Sequence, residues 1–242
     1  MAKRPAGDLF RAAGEFRAWG RKDMNLLSGR PDSLLRCPAA AAMRAAGTMI
    51  NVLLAFVLAA GLAGCNRTSG WHSTDVTANV PALDFTMTRA RDGATVTAAD
   101  YRGKVTLLYF GYSFCPDVCP MTLSNLAQVL RTLGNGAKDV RVLFVTVDPD
   151  RDTLDVLKQY GAAFGPQVDT LRGTPDQLLA LARRYRVAYS VTKGAGEAYQ
   201  VTHGSGIYAF DRTGKARLLM SSLSTAEPDV KGAAADIARL LN

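Results

Sequence analysis

The sequence contains few of the side chains that most often carry metal or redox chemistry. Its 242 residues include four cysteines and two histidines. It also lacks a G-x-x-x-x-G-K phosphate loop, and no G-x-G-x-x-G follows a strand-like run. These absences argue against the nucleotide-binding enzymes that such motifs identify. Any metal or thiol chemistry must therefore come from very few residues.

The positive charge is concentrated near the start of the chain. The net charge is +8, but residues 1–48 hold nine Lys/Arg against four Asp/Glu, whereas residues 66–242 hold twenty against seventeen. The basic residues of the second region are scattered and have no aromatic partners in register. This pattern lacks the basic patch of a nucleic-acid-binding protein, so no nucleic-acid partner is predicted.

A short apolar run interrupts the polar start of the chain. Met49–Leu62 is fourteen uncharged residues, whereas a membrane-spanning helix needs about 20. The run leads into Leu-Ala-Gly-Cys65, which resembles the lipobox of bacterial lipoproteins. Residues 43–65 are therefore interpreted as a lipoprotein signal peptide with lipidation at Cys65. The alternative is an uncleaved anchor helix; either way, we expect a domain held at the cell membrane, facing the periplasm or the extracellular side.

The segments on either side of this signal are predicted to be unstructured. Signal peptides rarely begin forty residues into a chain, so residues 1–42 are interpreted as an upstream mis-start or a disordered extension. Cys37 lies within that stretch and has no predicted role. Residues 66–80 are polar and small, which predicts a tether, and residues 81–242 are predicted to form the folded domain.

The number of cysteines in the predicted exported domain limits the thiol chemistry it can carry. Once Cys37 and Cys65 are set aside, only Cys115 and Cys119 remain. Exported compartments are oxidising, so a lone pair there is a disulfide, a regulated dithiol or a metal site. The count alone leaves all three open.

Apolar periodicity predicts alternating strands and helices. A hairpin is predicted over residues 83–96, followed by strands at 104–110, 140–147, 168–171, 187–191, 207–210 and 216–220. Helices are predicted over residues 123–133, 152–164, 174–185 and 228–241. This order indicates a layered α/β sandwich.

The prolines around the cysteine pair locate the start of a helix. Proline is tolerated in the first helical turn, and Pro116 and Pro120 follow the two cysteines directly. Both thiols are then near the positive end of the helix dipole, which favours the thiolate. Residues four apart share a helix face and rise about 6 Å, so the two sulfurs can converge on a metal or close a disulfide.

A third ligand requires one of the two histidines. His203 is predicted between two strands with glycines nearby, where it can approach another loop, whereas His72 lies in the predicted tether and is given no role. Two thiolates and an imidazole suit copper in either oxidation state, or zinc. The alternative is that His203 is an ordinary loop or core residue.

Several motifs in one order resemble the Sco/SenC family of membrane-tethered copper chaperones. They are FGYSFCPDVCPMT, VTVDPDRDT, GTPDQLLALARRYRVAYS and YQVTHGSGIYAFDRTG, and the likeness covers about residues 80–242. The resemblance implies a thioredoxin-like three-layer sandwich with an N-terminal hairpin. It implies binding of Cu(I) or Cu(II) through Cys115, Cys119 and His203. It further implies a role in assembling the binuclear copper centre of cytochrome c oxidase, with the oxidase copper-site subunit and a periplasmic copper donor as partners.

The chain departs from this family pattern beside the histidine. Thr202 and Gly204 replace the usual Asp and Ser, which removes a carboxylate that could orient the ring. Asp148 is predicted as a weak fourth ligand or as a group supporting the ligands; alternatively, Asp148, Asp150 and Asp152 cap the next helix and place negative charge at its start. Tyr112 and Phe114 are expected to shield the site or simply to pack.

Other functions fit the cysteine pair less well. A thiol–disulfide reductase that maintains the oxidase cysteines needs only the pair, and remains the alternative. General disulfide enzymes of this fold usually use C-x-x-C with an opposing proline, whereas this chain has C-x-x-x-C and no proline between Pro175 and Pro228. A peroxidase would require a single activated cysteine, and a plain binding module leaves the two prolines unexplained.

Overall fold

The computed structural model describes residues 70–194 and 199–242. The predicted extension 1–42, the predicted signal 43–65 and Cys65 lie outside the described residues. Within the described ranges, no helix combines the length and apolar character needed to cross a membrane.

The described chain forms ten strands and four α-helices. The strands are β1 (Thr74–Asp75), β2 (Thr86–Arg89), β3 (Thr95–Thr97), β4 (Val105–Gly111), β5 (Val140–Thr146), β6 (Val168–Arg172), β7 (Tyr189–Lys193), β8 (Tyr199–His203), β9 (Ile207–Phe210) and β10 (Ala216–Met220). The helices are α1 (Val118–Leu133), α2 (Leu154–Ala162), α3 (Pro175–Arg184) and α4 (Val230–Leu241).

Eight of the strands form one mixed sheet in the order β1-β10-β9-β4-β5-β6-β2-β3. Strands β4, β5 and β6 are parallel, and β9 runs antiparallel to β4. All seven residues of β4 are buried, so both faces of the sheet centre are covered, as expected of an α/β sandwich. The predicted layered architecture is confirmed.

The sheet topology brings three chain segments to one edge. Because β4 and β5 are parallel, with Gly111 opposite Thr146, the turns that follow them emerge side by side. Because β9 is antiparallel to β4, with Ile207 opposite Tyr109, the residues just before β9 reach the same edge. The cysteine loop, the β5–α2 turn and the segment containing His203 therefore meet there.

Helix starts follow the local sequence signals. Thr174 accepts a hydrogen bond from Gln177 N, and the Gln177 side chain accepts one from Thr174 N, which completes the predicted capping box of α3. Helix α2 is capped by Thr153, which accepts from Val156 N. The expectation that aspartates cap α2 is therefore wrong, because the Thr153 hydroxyl occupies that role.

The structure adds a strand that periodicity missed. Residues 199–203 form β8, which pairs with β7 as a separate two-stranded sheet. His203 is the last residue of β8 rather than part of a loop between strands. The exposed Gln200 and Thr202 alternate with half-buried Tyr199 and Val201, and this mixed composition hid the strand signal.

Residues 70–80, which the sequence indicated as part of a tether, contact the folded domain. Strand β1 pairs with β10. The buried carboxylate of Asp236 accepts hydrogen bonds from His72 N at 3.0 Å and Ser73 N at 2.8 Å. The guanidinium of Arg239 lies 3.7 Å from the Trp71 ring centroid. The ordered domain thus begins before Pro81, since Asp236 is a buried charge that needs these donors.

Candidate metal centre

The two cysteines lie at the junction between β4 and α1. Cys115 is half-buried in the connecting turn, and Cys119 is fully buried in the first turn of α1. Cys119 N lies 3.5 Å from Cys115 Sγ and donates to it. Pro120 also lies in this first turn, where its missing N–H leaves no helical bond unmade. The predicted helix-start geometry is confirmed.

His203 completes a cluster of three donor atoms. Its Nε2 lies 3.3 Å from Cys119 Sγ, and the ligand atoms of Cys115, Cys119 and His203 all lie within 4.8 Å of one another. His203 Nδ1 lies 3.1 Å from Gly204 O; with the proton on Nδ1, the ring donates to this carbonyl and the Nε2 lone pair faces the thiols. The donor set of two sulfurs and one imidazole nitrogen fits copper or zinc.

Aromatic rings cover part of the half-buried imidazole. The rings of Tyr109 and Tyr112 meet the His203 ring edge to face, with centroids 6.2 and 5.8 Å away. This burial lowers the pKa of His203, and the hydrogen bond to Gly204 opposes that shift only in part. The neutral, metal-binding form of the ring is therefore favoured at neutral pH.

The two thiols differ in acidity. Burial raises the pKa of the Cys119 thiol to about 12. Burial also acts to raise the pKa of Cys115, but hydrogen bonds from Asp117 N and Cys119 N outweigh it, so the pKa of Cys115 lies below its usual value. Cys115 is consequently the more reactive thiol of the pair.

Asp148 lies outside the three-donor cluster. Its buried carboxylate accepts a 2.5 Å hydrogen bond from the Tyr199 hydroxyl and pairs with Arg151 Nε. Of the two roles predicted for it, these contacts fit a group that supports the ligands better than a fourth ligand, and that supporting role stays a prediction.

Asp152 is a site residue that sequence reasoning missed. Its buried carboxylate accepts from Ser113 N at 3.1 Å and from the Thr146 hydroxyl at 2.5 Å. It therefore fastens the residues just before Cys115 to the end of β5. Asp152 belongs to the D-P-D-R-D-T motif, whose aspartates were predicted to cap the next helix rather than to hold the cysteine loop.

The other residues singled out in the sequence contribute less to the three-donor cluster. Thr202 points away from the thiols and bonds to the Ser190 hydroxyl at 2.7 Å, so the Gly204 carbonyl orients the ring in the absence of a neighbouring carboxylate. Phe114 is 53% exposed and shields little, whereas Tyr112 is buried. His72 is exposed and lies 3.6 Å from Asp229, beside α4.

Comparison with known proteins identifies the family. The SCO1/SenC family model matches residues 77–242. The chain belongs to the SCO1/SenC family. It is 34% identical to the protein SenC of Rhodobacter capsulatus over 149 residues, covering 62% of this chain and 65% of that one. It is 40% identical to the bovine mitochondrial SCO2 homologue over 134 residues, covering 54% of this chain and 50% of that one.

Solved structures of this family share the fold. The copper-bound ScoI of Bradyrhizobium japonicum is 34% identical, with a TM-score of 0.59, and the match covers 67% of this chain and all of that one. The apo Sco1 of Thermus thermophilus is 31% identical, with a TM-score of 0.61, covering 74% and 100%. The predicted thioredoxin-like fold is confirmed. This chain spans about one third to two thirds of the length of the curated relatives named first among its matches.

The close packing of Gly111 against the buried thiol gives a first prediction. A Cβ at this position would lie 2.6 Å from Phe144 Cε2 and 3.0 Å from Cys119 Sγ. We expect Gly111→Ala to displace Cys119 and to lower the free energy of unfolding by about 1–3 kcal/mol, measured by urea denaturation. Gly136→Ala is the control, because its Cβ would meet the flexible end of Leu241 at 3.2 Å and make an ordinary contact with Leu133 Cβ at 3.9 Å. Equal unfolding midpoints for the two variants would contradict the packing argument.

The unequal thiols give a second prediction. In the reduced, metal-free protein carrying Cys37→Ser and Cys65→Ser, iodoacetamide should modify Cys115 at least about tenfold faster than Cys119 near neutral pH. The modified residue is identified by peptide mass spectrometry. The rate at Cys115 should fall as the pH is lowered through its depressed pKa, because the thiolate is the nucleophile. Faster modification of Cys119 would overturn the assignment.

Proposed function

We propose that this protein is a membrane-tethered copper metallochaperone that assists assembly of the binuclear copper centre of cytochrome c oxidase. The observation that carries the proposal is the convergence of Cys115, Cys119 and His203 within 4.8 Å in a chain of the SCO1/SenC family. Copper-bound structures of relatives from Bradyrhizobium japonicum, Arabidopsis thaliana and yeast support copper as the ion. The proposed partners are the oxidase copper-site subunit and a periplasmic copper donor.

The site suits an ion that is received and passed on. Two sulfurs and an imidazole supply the soft and borderline donors that copper prefers. Cys119 is fully buried, whereas Cys115 and His203 are half-buried, and Cys115 lies in the turn before the helix, where a partner can reach it from solvent. An acceptor thiol can therefore replace Cys115 first, so that copper is handed over by exchange of ligands.

The more acidic, half-buried Cys115 thiol also fits a second function, reduction of the oxidase cysteines. The Cys115 thiolate would attack a partner disulfide and form a mixed disulfide, releasing one partner thiolate. Cys119 would then attack the Cys115 sulfur, closing the Cys115–Cys119 disulfide and releasing the second partner thiol. Two electrons pass from the pair to the partner. The high pKa of buried Cys119 disfavours this second step, so copper binding is the better-supported function.

Copper titration tests the main proposal. The full-length protein with Cys37→Ser and Cys65→Ser should bind about one copper ion per chain through the three donors. His203→Ala should weaken Cu(I) affinity by at least about tenfold, since even loss of a group that supports a ligand costs 10–100-fold. Competition with a chromophoric Cu(I) chelator measures the affinity.

The matched control is His72→Ala, which removes the other histidine and should leave copper affinity unchanged. Equal affinity of the parent and His203→Ala would disprove the ligand assignment. A parent that binds no copper but reduces a disulfide substrate would support the reductase function instead.

The membrane attachment is likewise a proposal, supported by the apolar run Met49–Leu62 and the Leu-Ala-Gly-Cys65 sequence. We expect the mature protein to begin at a lipid-modified Cys65 and to fractionate with membranes. Cys65→Ser should abolish lipid modification, while Cys37→Ser should not. Mass spectrometry of the mature N-terminus checks this; an unmodified Cys65 in the wild-type protein would refute the lipid anchor.

A further inference from the structure

The hairpin that carries His203 is separate from the main sheet. Strands β7 and β8 pair only with each other among the described residues, and an isolated two-stranded hairpin is marginally stable. Its five residues on each strand are half-buried or exposed. His203 needs a fixed position to meet two thiols on another element, so contacts beyond the β7–β8 ladder must hold the hairpin.

The hydroxyl of Tyr199 provides one such contact. Tyr199 begins β8 and His203 ends it, and residues at even spacing along a strand project to the same side. The Tyr199 hydroxyl donates to Asp148 Oδ1 at 2.5 Å. The hydrogen bond therefore joins the His203 hairpin to the turn between β5 and α2.

The acceptor of this hydrogen bond is itself held in place. Asp148 is buried, and its second carboxylate oxygen pairs with Arg151 Nε. The Arg151 guanidinium also covers the Tyr199 ring at 3.9 Å. A hydrogen bond to a buried, paired carboxylate is stronger than one between neutral groups, and the stacking restricts the ring that makes it.

The same turn also holds the cysteine loop. Asp152, four residues after Asp148, accepts from Ser113 N at 3.1 Å, and Ser113 lies two residues before Cys115. The turn between β5 and α2 thus contacts both segments that carry candidate ligands. Asp152 holds the cysteine loop, and Asp148 holds the hairpin that carries His203.

We propose that Tyr199 is a positioning residue, whose hydroxyl fastens the β7–β8 hairpin to Asp148 and so holds His203 in reach of Cys115 and Cys119. Its effect on copper rests on the proposed function, whereas its effect on the hairpin does not. Tyr199 acts through His203 and makes no contact with the cysteine sulfurs among the hydrogen bonds of the described residues.

The test is Tyr199→Phe in full-length protein with Cys37→Ser and Cys65→Ser. In the metal-free protein, amide hydrogen exchange should accelerate about tenfold in β7 and β8 and stay unchanged in β4 and β5. With copper, Cu(I) affinity should fall about tenfold, because the hairpin occupies the binding position for less of the time. The imidazole nitrogen coupling in the EPR spectrum of the Cu(II) form should weaken.

A double mutant separates positioning from a general structural effect. If Tyr199 acts only through His203, then adding Tyr199→Phe to His203→Ala should change the copper affinity by less than about twofold. A tenfold further loss in the double mutant would overturn the proposal. So would unchanged hairpin exchange in Tyr199→Phe.

The matched control is Tyr208→Phe, which also deletes a hydrogen-bonded hydroxyl, here the 2.7 Å bond to Tyr185 O. It should leave hairpin exchange and copper affinity unchanged, and equal effects of both variants would overturn the specific role of Tyr199. If the parent binds no copper, the proposed function fails, yet the exchange experiment still decides whether Tyr199 fastens the hairpin.

Discussion

The pairing of β4 with its two neighbours is the constraint on which the candidate centre depends. Strand β4 pairs in parallel with β5 and antiparallel with β9. These pairings bring the end of β4, the end of β5 and the residues just before β9 to one edge of the sheet. Ligands 84 residues apart in the chain can therefore meet without a long loop crossing the domain. Because β4 is buried along its whole length, a shift in its register would move the thiols relative to the imidazole and expose core residues at once.

The electrostatic environment of the centre divides the three donors into two kinds. Cys119 and His203 are desolvated, which raises the thiol pKa and lowers the imidazole pKa, so both are held in their neutral forms without metal. At Cys115, backbone N–H donors from Asp117 and Cys119 outweigh burial and hold the pKa of the thiol below its usual value. A cation entering this site can therefore meet the Cys115 thiolate first, and its charge would then favour loss of the Cys119 proton.

Local signals in the sequence predicted much of this arrangement, because they act over a few residues. Pro116 and Pro120 marked the helix start, and the apolar run before them marked β4. Long-range contacts were harder to foresee: nothing near Tyr199 indicates that its hydroxyl reaches Asp148, 51 residues earlier. The residues alone offered His203 as a candidate ligand, and the family resemblance strengthened that prediction, since a single histidine beside glycines fits many environments.

The acidic turn shows why local interpretation can misassign residues. Aspartates before a helix normally stabilise its first turn, but here Thr153 caps α2, which leaves Asp148 and Asp152 free for other contacts. Both are buried charges, which are costly unless they are well paired. Each accepts a hydrogen bond from a segment that carries candidate ligands, Asp148 from Tyr199 and Asp152 from Ser113. The contacts that offset their burial therefore also tie the cysteine loop and the histidine hairpin to the same turn.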